Sequence, residues 1–336
     1  MAPRKKLRMP PARVLVPIAI VSALVLVLVL VGVIGSAVTR GIHALTAQPP
    51  GEGTEVVAPA EAKAAAAARD LSGEQKDAAD YLAAQPTAYW LTPEQDPIGE
   101  AGDTVLSLIA QAREQDRSVA MVVYGLPGRD CGNHSSGGLS EEDYPTWLDE
   151  IGAALDTAPE VRKVVILEPD SIALAPDCGN IADRARQLGD AVDRISTPNT
   201  WIYIDGGHSN WLPPDQMADL IRQIGVIDRV RGFATNVSNY QSAADEFAYA
   251  AALSPLVDGA HAIVDTSRSG AATSGGEWCN PPGQLVGEPG GTFHDDVVDT
   301  NLWIKPPGES DGTCNGGPAA GVFWPEAAVE LTSDAR

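Results

Sequence analysis

Basic residues are scarce in this chain. Lys and Arg number 23 against 45 Asp and Glu, a net charge of −22, and five of the 23 fall in the first 13 residues. Beyond residue 13 the balance is 18 basic to 45 acidic. That excludes nucleic acid as a partner, because a phosphate backbone needs a basic footprint. A neutral substrate, or solubility outside the cell, fits such a charge. Cysteine is sparse as well. Cys131, Cys178, Cys279 and Cys314 include no C-x-x-C spacing, which argues against a zinc ribbon or a thiol redox motif. There is no internal repeat, and no His, Cys or Gly-rich arrangement calls for a metal or an organic cofactor.

Charge is also missing from residues 14–38, which follow a basic patch of Arg4, Lys5, Lys6, Arg8 and Arg13. A secretory signal has an apolar stretch of about 7–15 residues, and a membrane span needs about 20. The run is long and no A-x-A site closes it. Residues 1–13 therefore read as a basic cytoplasmic N-terminus and 14–38 as an uncleaved transmembrane anchor, with a long cleaved signal sequence as the rival. Either way the bulk of the chain is exported, held on the outer face of the membrane or secreted. Four cysteines in an exported chain favour two disulfides, for which three connectivities exist. The sequential pairing is favoured because each pair would tie adjacent loops of one face.

What is present is an alternation of strand and helix signals. Residues 39–70, rich in Ala, Pro, Gly and Glu, read as a linker, and 71–336 as a single catalytic domain. Seven apolar runs read as strands: TAYWL (87–91), VAMVVY (119–124), KVVIL (163–167), WIYID (201–205), RGFATN (231–236), HAIVD (261–265) and NLWIK (301–305). Helical patterns separate them, which predicts an α/β fold with a parallel sheet. Strands run into loop acids at Asp130, Asp170, Asp205, Asp265 and Asp311. Strand-end loops are where a parallel barrel keeps its catalytic groups, and clustered like charges are costly unless used. The Gly/Pro-rich residues 269–296 are too long for a plain connection and read as a binding loop.

These residues resemble glycoside hydrolase family 6, the inverting cellulases. The blocks VVYGLPGRDC, ILEPDSIA, YIDGGHSNW, RGFATNVSNY, IVDTSRSG, EWCN and LWIKPPGESDG stand in the family's order between Trp90 and Trp324. The resemblance implies a distorted seven-stranded parallel β/α barrel, like a triosephosphate isomerase barrel, and the disulfides Cys131–Cys178 and Cys279–Cys314. Asp170 matches the general acid. Asp130 matches the neighbour that raises the acid's pKa and joins the water network. Asp311 matches the candidate base, Ser136 a water-positioning serine, and Tyr124 a group beside the cleaved sugar. Trp90, Trp211 and Trp278 match aromatic platforms. Asp205, His208, Asn236, Lys305 and Glu309 match further substrate-binding groups. Gly125 and Gly128 stand where fungal members carry acids.

Other readings carry less. GESDG (308–312) fits the G-x-S-x-G elbow around Ser310, but no histidine follows it and no helix starts there. Asp265 reads as structural and paired with Arg268, Trp303 as core, and Lys163 and Arg162 as a solvated face. The expected protein is a monomer that hydrolyses a β-1,4-glucan with inversion. One helix fills most of the segment between ILEPD and YID, and barely two dozen residues follow LWIKPPGESDG, so little chain is left to roof a cleft beyond residues 269–296. That favours endo over exo action; a non-catalytic carbohydrate-binding barrel is the remaining alternative.

Overall fold

The computed structural model describes Gly35, Val38, Ile42 and residues 45–133, 135, 137–271 and 276–336. The chain divides into two compact units, Met1–Thr46 and Ala47–Arg336, and every strand described lies in the second. Among the described residues no helix is long and apolar enough to cross a membrane. The expected anchor at 14–38 lies outside the described residues, save Gly35 and Val38.

The strands are β1 (Tyr89–Leu91), β2 (Val119–Val123), β3 (Lys163–Leu167), β4 (Thr200–Asp205), β5 (Gly232–Thr235), β6 (His261–Asp265) and β7 (Val298–Leu302). They form one parallel sheet in sequence order. The sheet curls into a barrel left open between β1 and β7. Among the described residues β1 and β7 are not paired, and the seam is crossed by contacts such as Ala88 N–H to Trp303 O at 2.9 Å and Trp90 Nε1–H to Ile304 O at 2.8 Å.

Side chains in a strand alternate faces, and both faces of a parallel sheet are covered, so its strands read as unbroken apolar runs. In β2, Ala120 and Val122 point into the barrel while Val119, Met121 and Val123 face the helices. In β3, Val164 and Ile166 are inside and Val165 and Leu167 outside. Tyr124 takes the next inward position after β2, which puts its side chain at the mouth of the barrel.

The helices are α1 (Lys63–Ala67), α2 (Gly73–Ala83), α3 (Ala101–Gln115), α4 (Asp143–Asp156), α5 (Ala175–Cys178), α6 (Ile181–Ile195), α7 (Pro214–Ile224), α8 (Ala243–Leu253) and α9 (Pro325–Leu331). In α3, buried Val105, Leu108, Ile109 and Ala112 recur at helical spacing and lie against the sheet. The ends follow local chemistry. Ser242 caps α8 by accepting from Asp245 N–H at 3.1 Å. Proline opens α7, and Gly225, at φ +74°, closes it.

Four expectations change. Residues 47–70 are packed chain rather than spacer: Val57 N–H donates to Ser118 O at 3.0 Å, and Ala64 joins a small core with Leu82, Trp303 and Ala328. The compact unit therefore starts at Ala47; a composition of Ala, Pro and Gly hid the buried Val56 and Val57. The last strand is VDTNL, three residues before NLWIK, because the Asp265 carboxylate takes the N–H groups of Ile304 and Lys305 at 3.1 and 2.9 Å, outside the strand ladder. Lys163 is fully buried, not solvated, and its ammonium donates to Ala158 O and Pro198 O at 2.6 and 3.0 Å. Burial lowers its pKa to about 8. Arg162 is half-buried and donates to Gln48 O at 3.1 Å. Trp303 is core, as expected. Both disulfides join as expected, Cys131 to Cys178 and Cys279 to Cys314.

Candidate active site

The loops that leave the C-terminal ends of the strands surround a cleft of about 410 Å³ lined by Trp90, Tyr124, Asp130, Asp170, His208, Trp211, Trp278, Lys305 and Asp311. Asn133, Ser135, Leu174, Asn210, Ser238, Asn239 and Gly276 complete it. Several residues here hold a left-handed backbone without being glycine: Asp130 (φ +54°), Glu168 (+49°), Asp170 (+66°), Asn236 (+62°) and Ser238 (+61°). Each costs energy, and such a concentration at one end of a barrel points to a demanded geometry.

After β2 the chain makes a tight loop. Tyr124 Oη donates to Asp130 Oδ2 at 2.6 Å. The Arg129 guanidinium lies 4.5 Å from the Tyr124 ring centre and donates to Tyr124 O at 2.7 Å and Glu94 Oε1 at 2.9 Å. A β-carbon at Gly125 would stand 2.7 Å from the Trp147 ring, so the glycine leaves room for α4 to pack. The Cys131–Cys178 bridge ties this loop to the end of α5.

Asp170 follows β3 by three residues. Burial pushes its carboxyl well above the usual range, the negative charge of Asp130 raises it further, and Asp205 adds to this while Lys305 opposes it. Burial raises Asp130 too, opposed by the Tyr124 hydroxyl and by Arg129. Two carboxyls so placed keep one proton between them to higher pH than either would alone. Asp130→Ala removes the neighbouring charge. The alkaline limb of the pH–rate profile should then move down by on the order of one pH unit, with a rate loss of about 10²-fold. A pH series on soluble cellulose, the substrate that the family resemblance implies, reads both, and an unmoved limb would show that the two carboxyls do not interact.

Asp311 is walled in by donors. Arg268 Nη1 donates to its two oxygens at 2.9 and 3.0 Å, Tyr240 Oη donates at 2.7 Å, and Asn280 N–H donates at 3.1 Å. Lys305 Nζ stands 3.9 Å away. The Arg268 guanidinium is 4.0 Å from the Tyr240 ring centre. Arg268 thus serves Asp311, whereas Asp265 accepts backbone N–H groups from Ser238, Ser267, Ile304 and Lys305. The expected Asp265–Arg268 pair is replaced by this arrangement, though Asp265 is structural as expected.

The aromatic and polar groups divide. Trp90, Trp211 and Trp278 line the cleft with His208 and Lys305. Burial lowers the His208 pKa to about 4. Its Nδ1 accepts from Asn210 N–H at 3.2 Å, so the ring is neutral with its proton on Nε2, a donor for a hydroxyl. Asn236 does not reach the cleft: its amide is buried and bonded to Gln241 and Asp265 O. Asp205 lies beneath, accepting the Ile172 and Ala173 N–H groups at 3.0 Å and Gly207 N–H at 2.8 Å. It shapes the turn that follows Asp170. Glu309 pairs with Lys63 at 3.1 Å in a groove on the other side of Trp90. Ser136 lies outside the described residues. The sequence reading missed Tyr240 and the Arg268–Asp311 pair. Both residues stand in quoted blocks, NVSNY and IVDTSRSG, but neither block says what its side chains meet.

Indoles beside a row of carboxylates, in a cleft at the strand ends of a parallel barrel, offer the chemistry that a glycoside hydrolase site uses. The chain belongs to the glycosyl hydrolases family 6, whose family model matches residues 52–335. It is 41% identical over 266 residues to Endoglucanase A of Cellulomonas fimi, covering 79% of this chain and 58% of that protein. Endoglucanase A of Thermobispora bispora is 36% identical over 265 residues, covering 76% and 56%. The chain therefore spans a little over half the length of these two relatives. The endoglucanase Cel6 from Mycobacterium tuberculosis, solved with a methyl-cellobiosyl-4-deoxy-4-thio-β-D-cellobioside, superposes with a TM-score of 0.76 at 34% identity. That match covers 84% of this chain and 98% of the other.

Proposed function

We propose that this chain hydrolyses β-1,4-glucosidic bonds within cellulose-like chains, with inversion at the anomeric carbon. The observation that carries the reading is Asp170, a carboxyl held protonated by burial and by Asp130 inside a cleft lined with indoles. In this mechanism Asp170 gives its proton to the glycosidic oxygen as the C1–O bond breaks. Water attacks C1 from the opposite face in the same displacement, and its proton passes along a chain of waters towards a base. Asp311, whose oxygens accept from Arg268, Tyr240 and Asn280, is the candidate base and acts through water, with Ser136 positioning the water. Tyr124 and Lys305 border the reacting sugar. Trp90, Trp211 and Trp278 stack on sugar faces, and His208 Nε2 donates to a hydroxyl.

The names of the two relatives and the thio-oligosaccharide bound to the tuberculosis enzyme support a β-1,4-glucan substrate and endo action. So does the 269–296 stretch. Val286 N–H bonds to Leu331 O, Gly291 N–H to Asn301 O and Asn301 N–H to Phe293 O, so much of it is packed along β7 and α9. NMR of early products should find the α-anomer released from the β-linked chain, and the viscosity of soluble cellulose should fall well before much reducing sugar appears. A β-anomer first product would overturn the mechanism; cellobiose from the outset at constant viscosity would overturn endo action. The two disulfides suit export, and residues 14–38 would supply the anchor. N-terminal sequencing of membrane-extracted protein separates an anchor from a cleaved signal.

A further inference from the structure

Glu168 is fully buried and does not line the cleft. Its Oε1 accepts Gly125 N–H at 3.0 Å and Tyr144 Oη–H at 2.8 Å, and its Oε2 accepts Leu126 N–H at 3.1 Å. Gly125 and Leu126 open the loop that ends in Asp130, and Tyr144 belongs to α4. Glu168 itself sits two residues before Asp170, and both hold positive φ, +49° and +66°. A single carboxylate therefore bridges the start of one acid-bearing loop to the start of the other. Arg184 of α6 grips the same β2 loop further along, donating to Pro127 O and Gly128 O at 2.7 and 2.9 Å.

Such a clamp is hard to explain by stability. Burying a carboxylate is costly, and an apolar side chain of similar size commonly does as well or better. Burial has raised the Glu168 pKa to about 7, against three hydrogen-bond donors that favour its charge. What an apolar side chain could not do is hold two N–H groups of a neighbouring loop at a set distance from the Glu168 backbone.

We propose that Glu168 is a positioning residue that sets the spacing between the loop carrying Asp130 and the loop carrying Asp170. The inference rests on reading Asp170 as the general acid. With the clamp removed the loops separate, the influence of Asp130 on Asp170 weakens, and proton delivery suffers while the sugar platforms stay in place. Glu168→Gln keeps the shape but turns an acceptor into a donor that faces an N–H or the Tyr144 hydroxyl. It should lower kcat on soluble cellulose about 10²-fold with KM changed less than about twofold. The alkaline limb should move to lower pH. The loss should be smaller on an aryl cellobioside whose leaving group needs little protonation.

Tyr144→Phe removes one donor and leaves Glu168 in place, so it should move the limb the same way by less. That variant keeps the test decisive if Glu168→Gln does not fold. A folded Glu168→Gln that loses only melting temperature, with kcat and limb of the parent, overturns the proposal. So does Tyr144→Phe with an unmoved limb where Glu168→Gln cannot be made. Asp170→Asn, run beside them, separates the two readings. If it is inactive on polymer while the Glu168 and Tyr144 variants behave as parent, only the positioning role falls. If it stays active, the general-acid reading falls and takes this one with it.

Discussion

Asp170→Asn should lower hydrolysis of a cellulose polymer about 10³-fold, which corresponds to about 4 kcal/mol of transition-state stabilisation. Binding should be kept, because the proposed platforms Trp90, Trp211 and Trp278 and the proposed donor His208, all lining the cleft, are untouched. Among the described residues the Asp170 carboxylate has no hydrogen-bond partner, and an amide of the same shape leaves the turn held by Asp205 in place. The loss should therefore fall on kcat, with the melting temperature close to the parent's. Steady-state kinetics on soluble cellulose, with retention on insoluble cellulose as the binding measure, tests both halves. A polymer rate within tenfold of the parent would remove Asp170 as the proton donor. Aryl substrates with good leaving groups discriminate less, since they need less protonation.

Arg268→Met should be the most destabilising change at the site. Arg268 is buried, donates to both oxygens of Asp311, donates again to Ser238 O and packs on Tyr240. Methionine fills much of the space but leaves Asp311 without the cation that meets both its oxygens, with only Lys305 at 3.9 Å. Stranding one member of a buried pair costs about 3–5 kcal/mol, and the displaced loop should lower kcat by about 10²-fold or more. Urea unfolding measures the first and polymer assays the second. Adding Asp311→Asn should restore part of the stability, because the buried carboxylate is then neutral and only Lys305, 3.9 Å away, loses a partner, yet it should restore no activity. A single variant as stable as the parent would mean that Arg268 does not hold Asp311.

These two predictions differ in how much of them was legible in the chain. Asp170 stands in ILEPD, an apolar run that stops at a proline, and a strand ending in a loop acid is a local pattern. Arg268 stands in IVDTSRSG, where the nearest acid is Asp265, and local reading pairs the two. The folded chain instead turns the Asp265 carboxylate onto the N–H groups of Ile304 and Lys305 and sends the guanidinium to Asp311, 43 residues on.

By itself, the sequence determined the elements whose cause is local. Unbroken apolar, β-branched runs specify the strands, 3.6-residue spacing specifies the helices between them, and Pro, Gly and Asp mark where strands stop. Those signals were enough for seven strands in a parallel sheet and for acid-bearing strand ends that include Asp130 and Asp170; the curl into a barrel came from the family resemblance. Tertiary structure decided which polar groups face the cleft and which hold it up. Asp205 and Asn236 look like site residues in a linear reading, but backbone N–H and C=O groups left free at the strand ends claim both. Lys163 looks solvated until Ala158 O and Pro198 O close over its ammonium. Residues 47–70 look like spacer until Val56 and Val57 meet the edge of the barrel. The reason is common to all of these: a periodic pattern records which face a side chain takes, whereas a buried hydrogen bond depends on a partner that only folding brings within 3 Å.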